Sequence, residues 1–202
     1  LIGPMRIFVN LPSGGLGQVP MWKQHLATPQ IRKFYLDEKP QGLHRAETIK
    51  KFDEYYKFTF VRNPWDRIVS NFLYFKDAAL IPSDFSLRDF FAYLVSEMAK
   101  LVARRAPKEF NPKNRLEALM AIHCQPQHYY LSKVDPVHVF RFENLIPDMQ
   151  FICDHLQIHF DKNNFPHEKN NNNKEHYTSF YGDDLKLIAD VGRLYENDVK
   201  LF

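Results

Sequence analysis

The fifteen residues from Phe58 to Phe72, FTFVRNPWDRIVSNF, switch secondary structure midway. Phe58 to Val61 is a β-branched and aromatic run suited to a buried strand. Asn63 is a good helix N-cap, Pro64 fits the first helical position, and Asp66 suits the positive end of the helix dipole. Arg62 is left at the join. Counting roughly 100° per residue from Asn63, Ser70 returns to nearly the same helix face, whereas Ile68, Phe72 and Phe75 fall on the opposite side and read as core. Arg62 and Ser70 can therefore share one space. A guanidinium fork and a hydroxyl suit a phosphate. The competing reading is that Arg62 pairs with a local carboxylate and Ser70 occupies an ordinary polar face.

The alternation recurs along the chain. Ile7-Phe8-Val9 reads as a strand, LPSGGLGQVP as a glycine-rich turn, and Met21, Trp22 and Leu26 as a helix with Pro20 in its first turn. A helix is expected from Arg45 to Phe52. The clearest helix runs from Ser86 to Arg105. Leu87, Phe90, Phe91, Leu94, Met98, Leu101 and Val102 recur at helical spacing, Ser86 and Asp89 match a capping pattern, and Pro107 ends it. Val137 to Phe140 reads as a strand and Leu145 to Leu156 as a helix. DKNNFPHEKNNNNKEH is a loop by composition. Leu185, Ile188, Val191, Leu194, Tyr195 and Val199 mark one last amphipathic helix. Strands alternating with helices, without repeat or boundary, predict one α/β domain over residues 1–202, its mainly parallel sheet covered on both faces.

Composition narrows the function classes. The chain has 202 residues, 45% hydrophobic and 25% charged, which is an ordinary globular balance. Its 18 Phe and 10 Tyr read mostly as core. A net charge of +3 argues against a nucleic-acid partner but allows a local basic pocket. Two cysteines, Cys124 and Cys153, form neither a disulfide framework nor a metal-ligand cluster, so a reducing compartment is expected. No apolar run is long enough for a membrane span. Residues 1–4 read as a non-native leader before a natural start at Met5, which argues against secretion. A cytoplasmic location is expected.

A second anion site is expected at Ser13, Gly14, Gly15, Leu16 and Gly17. Backbone N–H groups of a glycine-rich turn entering a helix can surround phosphate oxygens, although such turns also serve as plain connections. Two anion sites at the ends of two strands suit a nucleotide carrying phosphates at both ends.

At this point the chain resembles the sulfotransferases related to the carbohydrate-modifying Golgi and bacterial enzymes. FTFVRNPWDRIVSNF is similar to their R-[ND]-P-x-x-R-x-x-S segment for the 3′-phosphate, with Arg62 and Ser70 on the two contacting positions. GLHRAETIKKF, HCQPQHYYL, VHVFRFENL and the C-terminal HYTSFYGDDLKLIADVGRLYENDVKLF resemble the other segments, in order. The resemblance implies a P-loop-like three-layer α/β fold, 3′-phosphoadenosine 5′-phosphosulfate as co-substrate, a hydroxyl acceptor that is commonly a carbohydrate, and no metal. The family's 5′ loop usually reads P-K-[TS]-[GA]-[GS]-[TS]-[ST]. Here the lysine and the hydroxyl residues after the glycines are absent, with Lys23 on the following helix as a weak substitute. A non-catalytic nucleotide-binding protein is therefore the alternative. A nucleotide kinase is disfavoured by the lack of a G-K-[ST] loop.

The attacking hydroxyl must lose a proton, and a histidine suits that near neutral pH. Among nine histidines His44 is the candidate base, because relatives carry a catalytic histidine in the corresponding segment. The bland reading is a helix cap or surface residue. His123, His128 and His176 are weaker candidates. Gln125 and Gln127 are candidates for holding nucleotide or acceptor; Lys174, His176 and Tyr177 are candidates for the acceptor cleft or a solvated loop.

Overall fold

The described chain mixes helices with two strands and in this computed structural model comprises residues 45–103, 116, 119–120, 123–131, 137–163, 165 and 175–202. In order the elements are α1 (Arg45–Glu54), β1 (Phe58–Val61), α2 (Pro64–Asp77), α3 (Leu87–Ala103), β2 (His138–Arg141), α4 (Leu145–His155), α5 (Leu185–Leu194) and α6 (Glu196–Leu201). Single 3-10 turns lie at Gln127–Tyr130, Phe142–Asn144 and Tyr177–Phe180. The expected strand Ile7–Val9, the glycine-rich turn and the helix after it lie outside the described residues. The described residues fall into two compact units, one drawn from Arg62–Pro126 and His167–Phe202, the other from Ile2–Val61 and Gln127–Pro166.

The first unit is built on α2. Asn63 caps it as its sequence predicts, its side-chain oxygen accepting from the Trp65 N–H at 3.0 Å and the Asp66 N–H at 3.4 Å. Ile68, Phe72 and Phe75 form the buried face, as the helical count requires. Phe90 of α3 meets both aromatic rings, at 5.7 Å from Phe72 and 5.6 Å from Phe75. Leu87, Phe91 and Leu94 extend this core from α3, and Leu187, Val191 and Tyr195 extend it from the C-terminal segment. The α3 cap is reciprocal: Asp89 accepts from the Ser86 N–H and hydroxyl, and the Ser86 hydroxyl accepts from the Asp89 N–H. Trp65 stands over α5, its indole N–H donating to the Ile188 carbonyl at 2.9 Å. A Cβ at Gly192 would come within 3.1 Å of that indole ring, so a residue without one permits the approach.

The C-terminal segment departs from the single helix expected. It breaks at Tyr195 (φ −109°, ψ 27°), which ends α5 and precedes α6. The buried residues are Leu187, Val191, Tyr195 and Asp198, while Leu185 is 76% exposed and Val199 is also exposed. The cap explains this phase. The Asp184 side chain accepts from the Leu187 N–H at 2.8 Å, which makes Leu185 the first helical residue and turns Leu187 inward.

In the second unit β1 and β2 pair in parallel, with Phe58 opposite His138, Thr59 opposite Val139, Phe60 opposite Phe140 and Val61 opposite Arg141. β1 is mostly buried and β2 mostly exposed. Lys57, only 2% exposed, folds its ammonium back onto the carbonyls of Asp53 and Tyr55 and over the Phe52 ring. Those carbonyls lie at or just past the C-terminal end of α1, where a cation is favourable. Phe151 of α4 packs on Phe140 of β2. No helix among the described residues is long and apolar enough to cross a membrane.

Candidate functional site

Arg62 precedes the N-cap of α2, and Asp66 and Ser70 follow at successive four-residue steps along one side of the helix. The guanidinium meets Asp66 with two parallel hydrogen bonds, Nε to Oδ2 at 2.6 Å and Nη2 to Oδ1 at 3.0 Å. The local carboxylate weighed against the anion reading is thus a partner of Arg62 here. Both side chains are about three-quarters buried, 25% and 21% exposed, so the pair aims the fork as well as neutralising part of its charge. Ser70 is half-buried. Tyr177 comes to the same end of the helix, its hydroxyl 3.5 Å from the Asn63 side-chain nitrogen. His176 packs its ring against Tyr177, and its Nδ1 lies 2.9 Å from the Thr178 hydroxyl. A guanidinium, a hydroxyl and the N-terminus of a fourteen-residue helix are groups of the kind that suit a phosphate dianion.

On the adjoining flank of α2 lies a feature not anticipated from the sequence. Residues 116, 119, 120 and 123 are helical, and His123-Cys124-Gln125 make a turn. Each carbonyl of the turn receives a side-chain donor. Arg67 Nη2 donates to His123 O at 2.7 Å and to Gln125 O at 2.6 Å. Asn71 Nδ2 donates to His123 O at 3.1 Å and also approaches the Cys124 sulfur at 3.5 Å. The Tyr195 hydroxyl donates to Cys124 O at 2.6 Å. Arg67 is 6% exposed, lies over the Tyr195 ring at 5.7 Å, and keeps its Nη1 buried without a partner among the described residues. The signal available in the sequence was the polar pair Arg67 and Asn71, four residues apart on a helix whose neighbouring positions are core.

His123 is a core histidine, 7% exposed, stacked on Tyr74 at 5.4 Å with its edge toward Phe75. That environment suits packing better than proton transfer to a substrate. His128 and Gln127 belong to the following 3-10 turn, with Gln127 buried and His128 partly so. Burial pushes the Cys124 thiol from 9.0 up to about 12, against the opposing pull of Arg67 and Asn71. Burial also raises the Tyr195 and Tyr181 phenols. Above pH 9.0 the unfolded thiol loses its proton while the folded thiol keeps it. The native state then holds more protons, so stability falls as pH climbs toward about 12, with the two phenols adding to the loss above 10.0. Urea unfolding at neutral and alkaline pH reads this directly, and a midpoint unchanged across that window would contradict the burial of these groups.

Ser13, Gly14, Gly15, Leu16, Gly17, Lys23, His44 and Lys174 lie outside the described residues. Among the described residues no group of three or more His, Cys, Asp or Glu is arranged to hold a metal ion.

Comparison with protein families matches the Sulfotransferase family over residues 23–202, which is most of the chain. The chain belongs to the sulfotransferase family. Its mixed helices and parallel strands are accordingly those of a P-loop-like α/β fold, and its family activity is sulfuryl transfer. The matched span includes α2 with Arg62 and Ser70, the His123–Gln125 turn and the C-terminal helices; the loop Ser13–Gly17 precedes it. Neither the curated proteins nor the solved structures yield a significant match to this sulfotransferase-family chain.

Proposed function

We propose that this chain transfers the sulfuryl group of 3′-phosphoadenosine 5′-phosphosulfate to a hydroxyl acceptor, with a carbohydrate as the favoured class. The observation that carries the reading is Arg62 beside the N-cap of α2 and Ser70 about two turns along the same side of the helix, in a chain of this family. Arg62 and Ser70 take the 3′-phosphate, and the Ser13–Gly17 loop takes the 5′ end. The bond between sulfur and the donor's phosphate oxygen breaks as the acceptor oxygen bonds to sulfur, and 3′-phosphoadenosine 5′-phosphate departs. His44 accepts the acceptor's proton. The chemistry needs positioning and charge stabilisation more than covalent help from the protein.

His44→Ala is expected to leave binding of 3′-phosphoadenosine 5′-phosphate unchanged and to lower turnover by about 100-fold or more, the usual contribution of a general base. Calorimetry and a radiolabelled transfer assay over a panel of hydroxylated acceptors separate the two effects. Turnover equal to that of the unaltered chain removes His44 from the mechanism.

A second reading is favoured by one observation. The loop Pro12-Ser13-Gly14-Gly15-Leu16-Gly17 lacks the lysine that stabilises the departing oxygen in relatives. A chain that binds the nucleotide and transfers to no acceptor in the panel is a non-catalytic member of the family.

A further inference from the structure

The carbonyls of the His123–Gln125 turn need donors, and neutral side chains can supply them. Asn71 and Tyr195 already do so for His123 and Cys124. An arginine is a costly addition at a site 6% exposed, since a buried guanidinium loses hydration and here keeps one nitrogen unpartnered among the described residues. What Arg67 adds is reach. A single nitrogen, Nη2, bridges the carbonyls of His123 and Gln125 and so fixes the chain on both sides of Cys124. The turn is thereby tied to α2, and Arg67 stands three residues before Ser70 on that helix, on the adjoining flank. Gln125, the last residue held, is half-buried, and its carboxamide has no partner among the described residues.

We infer that Arg67 is a positioning residue. With Asn71 and Tyr195 it clamps the His123–Gln125 carbonyls to α2, and through that clamp it presents the Gln125 carboxamide to the nucleotide held at Arg62 and Ser70. The first part stands on the hydrogen bonds alone. The second rests on the function proposed above. Arg67 touches no reacting atom in this scheme; it acts by removing freedom from the turn that carries Gln125.

Two measurements on the full chain keep these parts separate. The first needs no nucleotide. Cys124 is fully buried inside the clamped turn, so its alkylation by iodoacetamide, resolved by mass spectrometry, reports local opening. Arg67→Met keeps bulk and removes every donor. It is expected to speed Cys124 labelling by about tenfold or more, because hydrogen bonds from a charged donor are lost. Cys153, in the other unit, serves as the control and should label at its original rate. Arg67→Lys, which keeps a charged donor, should restore part of the protection. An unchanged Cys124 rate overturns the clamp. So does a parallel rise at both cysteines, which marks general loss of fold.

The second measurement is a double-mutant cycle on affinity for 3′-phosphoadenosine 5′-phosphate, comparing Arg67→Met, Gln125→Ala and the double variant. If Arg67 acts through Gln125, the double variant binds no more weakly than the weaker single one. Losses that multiply to within about twofold mean the two act independently, and overturn the positioning role. Arg67→Met is also expected to lower kcat/KM by about 100-fold, as small misplacements of binding groups do. An unaltered chain that binds no nucleotide overturns the function proposed above together with the role of Gln125, and the Cys124 rate still decides the clamp.

Discussion

Arg62→Ala is expected to weaken binding of 3′-phosphoadenosine 5′-phosphate by about 100-fold or more. The variant loses a charged fork, and two hydrogen bonds from such a donor to a phosphate contribute about 3 kcal/mol. It also strips Asp66 of its partner, leaving a carboxylate on the same side of the helix to repel the incoming phosphate. Ser70→Ala, which removes one neutral hydroxyl, should cost about tenfold. Arg62→Lys should fall between, because an ammonium keeps the charge and loses the planar fork. The fold should survive all three. An ion pair of this exposure contributes about 1 kcal/mol or less, and Asn63 still caps the helix. Calorimetry with the desulfated nucleotide is the measurement. Affinity unchanged in Arg62→Ala would remove this end of α2 from the binding site, and with it the main support for a nucleotide-dependent reaction.

Phe75→Ala is expected to be the most damaging substitution for stability, at about 3–5 kcal/mol. Phe75 is fully buried, and its ring packs on Phe90 and meets the edge of His123. Truncation removes apolar contact from the junction of α2, α3 and His123, and close-packed neighbours refill such a void only in part. For a chain of this size the loss corresponds to a fall in Tm of about 10 °C or more. Leu185→Ala, at a site 76% exposed, should be close to neutral and serves as the comparison. Equal midpoints for the two variants in calorimetry and urea unfolding would show that Phe75 is not where the core is built.

The two expectations draw on different depths of information. The start of α2 was legible before any coordinates, because capping is local: Asn63 reaches amide groups two and three residues away. The faces of α2 were legible for the same reason, since the helical period alone sends Ile68, Phe72 and Phe75 together. The partner of Arg62 was a visible alternative, four residues along. The phase of the C-terminal segment was harder. Leu185 and Leu187 are both leucines near a helix start, and the choice between them came from where Asp184 capped and where the chain broke at Tyr195.

What the sequence determined by itself is the set of decisions made within one or two helical turns: a strand ending at Val61, a helix opening at Asn63, an apolar face, and Arg62, Asp66 and Ser70 on one side. Only the tertiary structure brought Arg67 to the carbonyls of His123 and Gln125, 56 and 58 residues away, and Tyr195 to Cys124, 71 residues away. The physical reason is that helical periodicity records which way a side chain leaves its own backbone. It holds no record of which distant carbonyl will lack a donor there, and that depends on how separate segments pack.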